Sequence, residues 1–297
     1  MTNIINFYIG EIRIYLISDY NVIDYKLSNN QINEQNTIVC LLTSWYKSET
    51  IIRIINENKN YHMIILANTE EEKQYYENQV TCDVIFVNKN AFLNENVFIM
   101  NNFFSKKYDL VIDSCFCEYK NRIIASKILN TVHIGYYKKA NNIIENEFIP
   151  NFGIKVNYDT NNLYHKLTSR EICDIYNQSH VGGIFSDKEG ACLSSTQYLL
   201  CGLPVVSTKS KGGRDVWYNE NNSIICENND DDCYRCVQLV KQKLENGEFN
   251  GENIRNNTIN LMNHFRNELI HFLIQKIKKI YNIDIDKTKL HINLSHY

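Results

Sequence analysis

Residues 186 to 215 read "SDKEGACLSSTQYLLCGLPVVSTKSKGGRD" and gather the groups most suited to chemistry. The chain has 11 glycines and 2 prolines in 297 residues. Four of those glycines and Pro204 fall in this one stretch, around its one glutamate, Glu189. A carboxylate accepts hydrogen bonds from hydroxyls and repels phosphate, so Glu189 suits a sugar. Gly190, Ala191 and Cys192 are small and precede a helix that should start near Leu193 and Ser194. A helix N-terminus offers unpaired N–H groups and a positive partial charge, which suit a phosphate or diphosphate. Gln197 follows Glu189 by eight residues, so two helical turns return its side chain to the same place. Gly212 and Gly213 allow backbone angles closed to other residues. Lys209, Lys211 and Arg214 add positive charge, although Arg214 and Asp215 can also pair with each other.

Other chemistries lack their residues. There is no G-x-x-x-x-G-K-[ST] loop, and no G-x-G-x-x-G follows the first strand, which argues against a nicotinamide dehydrogenase. No G-x-S-x-G elbow is present, so Ser194 and Ser195 read as helix caps rather than nucleophiles. Ten cysteines include the close pairs Cys115/Cys117 and Cys233/Cys236, without the matched second pair and local histidine of a zinc site. They read as reduced, packing cysteines. No metal site is expected: "DDD" at 230–232 reads as a helix start. His133 and His180 flank or enter apolar strands and read as structural.

These groups need a scaffold. Short β-branched runs at 11–18, 36–44, 61–68 and 82–88 alternate with amphipathic stretches at 48–59 and 70–79, the pattern of a parallel sheet covered by helices. The pattern restarts with strands at 108–116, 131–137 and 151–157 and a helix at 120–129. A helix at 167–179 opens with the capping pair Thr168 and Glu171. Strands at 181–186, 203–208 and 222–226 bracket the helix at 194–201. From residue 230 the chain reads as helical to its end. The expected boundary lies near residue 103, giving domains 1–103 and 104–297.

Formal net charge is −3, so no global basic field for nucleic acid exists. No apolar run reaches the roughly 20 residues of a transmembrane helix. "MTNIINFYIGEIRIYLIS" is broken by polar residues and does not read as a signal peptide. A cytoplasmic protein is expected. Lys276, Lys278 and Lys279 form a basic cluster that fits a solvated helix face or a peripheral contact with an anionic membrane.

The 186–215 stretch resembles the donor-binding segment of retaining nucleotide-sugar glycosyltransferases of the GT-B fold (family 4, group 1). Their pattern opens Ser-x-x-Glu-Gly, places a second Glu on the following helix, and continues to Gly-x-Pro-Val-Val and a glycine loop. Here Glu189, Gly190, "GLPVV" and Gly212-Gly213 match, and Gln197 replaces the second Glu. "YDLVIDSCFCEYKNRIIASKI" is similar to the family's first donor-domain strand and diphosphate-binding loop. Lys120 falls at the family lysine. The family arginine is replaced near Cys115, with Arg122 as its substitute. "VNKNAFLNENVF" (87–98) resembles bacterial members of the group.

The resemblance implies an α/β protein of two Rossmann-like domains facing a cleft, parallel sheets flanked by helices, and a helical C-terminus crossing back to the first domain. It implies transfer of a sugar from a nucleotide diphosphate sugar to a hydroxyl of a glycan, glycolipid or glycoprotein, with retention and without a metal or other cofactor. Glu189 would orient the sugar. Lys120, Arg122 and the N–H groups around Ala191 to Leu193 would hold the diphosphate, Gln197 the ribose. The first domain would bind the acceptor. A non-catalytic nucleotide-sugar-binding or scaffold protein and a sugar-nucleotide epimerase are the alternatives.

Overall fold

A computed structural model describes residues 4–28, 32, 35–136, 150–158 and 164–286. The chain divides into two compact units: residues 1–93 with 261–297, and residues 94–260. The sequence predicts domains 1–103 and 104–297, with the C-terminal helix crossing back to the first; residues 261–297 group with the first unit.

Unit 1 is a five-stranded sheet in the order β1 (Ile4–Ile9), β2 (Ile12–Ile17), β3 (Thr37–Leu42), β4 (His62–Ala67), β5 (Asp83–Phe86). β2 to β5 run parallel, and β1 pairs antiparallel with β2 through a tight turn that Gly10 enters at φ +60°. β3 is buried along its whole length, as the apolar run requires of an interior parallel strand. Helices α1 (Tyr20–Ser28), α2 (Glu49–Glu57) and α3 (Glu70–Glu77) join the strands. Ile51, Ile54 and Tyr76 pack from them onto Val39, Leu41, Met63 and Ile65. β1 and α1 were not read from the sequence.

Unit 2 is a six-stranded, wholly parallel sheet built from β6 (Tyr108–Cys115), β7 (Thr131–Tyr136), β8 (Ile154–Lys155), β9 (Ser179–Ile184), β10 (Val205–Thr208) and β11 (Ser223–Cys226). Its order is β11-β10-β9-β6-β7-β8. Tyr137, which ended the strand expected at 131–137, lies outside the described residues. Helices α4 (Ser169–Asn177), α5 (Leu193–Leu200) and α6 (Asp230–Glu245) connect the strands. α6 starts at the acidic run as expected, with Asn229 accepting from the Asp232 N–H. No helix forms at 120–129. Two 3-10 turns, 118–120 and 122–125, replace it, because Asn121 between them sits at φ +46° and breaks the helical path.

The final helix, α7 (Gly251–Tyr281), is one continuous element rather than two. Its part in unit 1 carries an apolar stripe, Met262, Phe265, Leu269, Leu273 and Ile277, all buried. Phe265 meets Phe86 edge-on at 5.1 Å, and Arg266 donates to the carbonyls of Ala91 and Leu93 at 2.7 and 2.9 Å. Lys276 pairs with Asp83 and Lys278 with Asp284, so two lysines of the basic cluster hold carboxylates of their own unit. No helix among the described residues is long and apolar enough to cross a membrane.

α4 opens with the capping box foreseen from Thr168 and Glu171, both of whose reciprocal bonds form. Thr168→Ala should lower unfolding free energy by about 1 kcal/mol. A urea midpoint unchanged by the substitution would show that the box is not used.

Candidate functional site

In unit 2 the sequence-predicted residues gather at the carboxyl ends of β6, β9 and β10, the end of an open parallel sheet where ligands bind. β6 delivers Lys120 on the first 3-10 turn after the strand. β9 ends at Ile184 and delivers Ser186 and Glu189 on the following loop. Although 69 residues apart in sequence, Lys120 Nζ and Glu189 Oε1 form an ion pair. Both side chains are largely buried, 13% and 7% exposed. Burial opposes the charge on Lys120, but Cys192 and Glu189 outweigh it and hold the ammonium above the usual lysine value.

A buried arginine also fixes the carboxylate, through a serine. Arg214, fully buried, donates from Nη1 to Ser186 Oγ at 2.9 Å, and Ser186 donates to Glu189 Oε1 at 2.5 Å. Arginine has no acceptor, so the direction of this relay is set. The same guanidinium donates to the Thr208 carbonyl at 2.5 Å and pairs with Asp215 at 3.2 Å. It thereby ties the β9 loop to the end of β10. The loop backbones also pair: the Glu189 N–H reaches the Lys211 carbonyl at 2.9 Å, and the Gly213 N–H reaches Gly190 at 2.7 Å. Gly212 permits this approach. It lies at φ +116°, and a Cβ there would stand 1.7 Å from the Glu189 carbonyl oxygen.

α5 begins at Leu193, and its N-cap is Cys192, at φ +54°. Strained non-glycine backbone of this kind concentrates at functional sites. The opening N–H groups of α5 are therefore not capped by a serine. Ser195, read as a cap, instead donates to the Tyr218 hydroxyl at 2.8 Å, and Ser194 lies half-buried in the first turn. Gln197 is buried, its Oε1 lying 3.3 Å from the Tyr176 hydroxyl, which donates to Asp113 Oδ2 at 2.5 Å.

Arg122 is placed differently from Lys120. It is buried, and it donates to the main-chain carbonyls of Ile112, Ser114 and Ile134 in the carboxyl halves of β6 and β7. It also bonds His133 Nδ1 at 3.1 Å and stacks over Phe116 at 4.5 Å. Burial pushes its pKa down to about 10. Beside Lys120, Cys115 Sγ lies 2.7 Å from Cys117 Sγ, and that hydrogen bond lowers the Cys115 thiol to about 6 against the effect of burial. Among the described residues no group of three or more His, Cys, Asp or Glu is placed to hold a metal ion.

The sequence reading missed the Ser186–Arg214 relay. Arg214 was noted as charge for a diphosphate, but nothing local in "KSKGGRD" tells a buried arginine from an exposed one. The signal available was the pair of glycines just before it, which lets the loop fold inward.

No family model matches the sequence, and no curated protein matches it. Solved structures do match in fold. TarM superposes with a TM-score of 0.59 at 16% identity, over 87% of this chain and 54% of TarM. HepE from Anabaena, in complex with UDP and glucose, gives 0.61 at 10% identity over 80% of this chain and 71% of HepE. Sucrose-phosphate synthase from Thermosynechococcus elongatus gives 0.61 at 12% identity, over 90% of this chain and 74% of that one. This chain spans about half the length of TarM. The likeness establishes the fold: the chain has the GT-B architecture of these transferases, as the Glu189 segment and the alternating strands implied.

Proposed function

We propose that this chain transfers a sugar from a nucleotide diphosphate sugar to an acceptor hydroxyl, with retention of configuration. The observation that carries the reading is the Lys120–Glu189 pair, held by Arg214 through Ser186 beside the start of α5. It sets a cation for a phosphate next to a carboxylate for hydroxyls. Solved relatives of this fold hold UDP, one of them with glucose, and a pneumococcal O-GlcNAc transferase holds UDP with GlcNAc.

In this reading the donor's diphosphate draws Lys120, while Glu189 accepts hydrogen bonds from the sugar hydroxyls. As the bond from the anomeric carbon to the diphosphate oxygen breaks, negative charge grows on the leaving oxygen. Lys120 and the N–H groups of Ala191, Cys192 and Leu193 stabilise it without reorganising. The acceptor hydroxyl attacks from the same face and passes its proton to the leaving diphosphate. Arg122 supports the site by clamping the strand ends that carry Lys120. Gln197 is the residue proposed for the ribose. No step calls for a metal. The acceptor, a glycan, glycolipid or glycoprotein, belongs to unit 1. We place the protein in the cytoplasm, a reducing compartment that would keep its ten cysteines as thiols.

A thermal-shift series with nucleoside diphosphates and their sugars tests the donor site. Ligand at a hundredfold over Kd stabilises by about 2.7 kcal/mol and should raise Tm by about 5 °C or more. If no nucleotide raises Tm, the donor reading falls and the scaffold alternative replaces it. Conversion of the free donor sugar without any acceptor would favour the epimerase.

A further inference from the structure

Unit 1 has a concave site of its own at the carboxyl ends of its strands. A cavity of about 380 Å³ lies there, lined among others by Asp19, Tyr20, Asn21, Ser44, Trp45 and Lys89. That volume falls at the lower end of the range for small-molecule sites, about 300–1,000 Å³, and suits one sugar ring rather than an extended chain. Asp19 follows β2, Trp45 follows β3, and Lys89 opens the 3-10 turn after β5.

The lining is fixed from beneath. Ser44 Oγ donates to the Ser18 carbonyl at 2.9 Å and accepts from Lys89 Nζ at 3.2 Å. The Ser44 N–H donates to the Tyr20 hydroxyl at 2.7 Å. The Lys89 N–H donates to Asn68 Oδ1 at 3.0 Å, and Asn68 Nδ2 reaches the Thr43 carbonyl at 2.8 Å. Its own N–H donates to Glu72 Oε2 at 2.8 Å, closing a buried polar network. Burial brings the Lys89 pKa down to about 8. Such a network holds binding groups in place before a ligand arrives.

The chemistry of the lining selects the ligand. One carboxylate and one ammonium cancel in net charge, while hydroxyls and an amide offer both donors and acceptors. A phosphate or carboxylate ligand would meet Asp19. Trp45 is 48% exposed, an indole face to which the C–H side of a pyranose can pack, its slightly positive hydrogens on the negative π-face. A concavity that sets an aromatic side chain beside a few fixed polar groups has the make-up of a small-molecule site.

We propose that Asp19, Ser44, Trp45 and Lys89 form a monosaccharide site that takes an uncharged pyranose, the terminal sugar of the acceptor. The word acceptor rests on the transferase reading; the site itself does not.

Tryptophan fluorescence tests it on the whole chain. Of the two tryptophans, Trp217 is buried, at 3% exposure, so a sugar in this cavity should perturb Trp45 alone. The probes are methyl glycosides of the gluco, galacto, manno and N-acetylglucosamine series, with glucose 6-phosphate and glucuronate as charged counterparts. At least one uncharged glycoside should give a saturable change at millimolar concentration. Trp45→Phe should abolish that change, and Asp19→Asn should weaken binding by about tenfold or more. No saturable response, a response surviving in Trp45→Phe, or tighter binding of the charged sugars would each overturn the proposal. A parallel UDP titration separates the two readings. UDP binding with no Trp45 response removes this site alone, and a Trp45 response without UDP binding keeps the site while removing the donor reading.

Discussion

Lys120→Ala is expected to lower kcat for sugar transfer by about a hundredfold to a thousandfold, the usual loss when one donor to a developing anion is removed. The effect is electrostatic. Lys120 is the cation set beside Glu189, in a place where solvent screens little. Removing it alone also strands a buried carboxylate, which costs about 3–5 kcal/mol of stability. A fall in activity could then merely report unfolding. The double variant Lys120→Met with Glu189→Gln separates the two effects. It leaves no uncompensated charge, so its Tm should return towards the native value while transfer stays at the level of the single variant or below. The measurement is single-turnover transfer from the donor chosen by thermal shift, with Tm recorded on the same samples. Full turnover in a folded Lys120→Ala protein, or recovery of activity in the double variant, would sink the mechanism.

How much of this was legible follows from the range of each interaction. β3 and β4 were readable because buried parallel strands carry continuous apolar runs. The α4 capping box was readable because its two partners lie three residues apart. β1 carries no such signal: its turn rests on Gly10 alone. The 120–129 segment has helical periodicity, yet tertiary bonds decided it. Arg122 reaches back to the carbonyls of Ile112 and Ser114, and Asn121 turns left-handed to let it. Glu189 stood out by composition, but its pairing with Lys120 spans 69 residues and its support by Arg214 spans 25, distances at which a sequence pattern carries no geometry. The cavity in unit 1 has no motif, since its lining comes from the ends of three separate strands.

Acid should weaken the chain through His133. The ring is buried in β7, and Arg122 donates to its Nδ1, so Nδ1 carries the lone pair and the imidazole is neutral. Burial first, and then the charges of Arg122 and Lys155, push its pKa from 6.5 down to about 3. Between those values the unfolded chain binds a proton that the folded chain does not. Stability is therefore full above pH 6.5 and falls as pH drops, by about 2 kcal/mol between pH 7 and 5 from this one group. That is a sizeable part of the roughly 5–15 kcal/mol typical of a domain. His133→Asn keeps an acceptor for Arg122 and removes the titration, so its urea midpoint should vary less over the same range than that of the native chain. Parallel pH profiles for the two proteins would show that His133 is protonated in the folded state, against the geometry. The outcome also bears on Arg122. A guanidinium whose Nη1 and Nη2 groups are engaged by His133 and three main-chain carbonyls of β6 and β7 acts on the site through the backbone that carries Lys120. Its loss should accordingly appear in stability and in the pH profile before it appears in donor affinity.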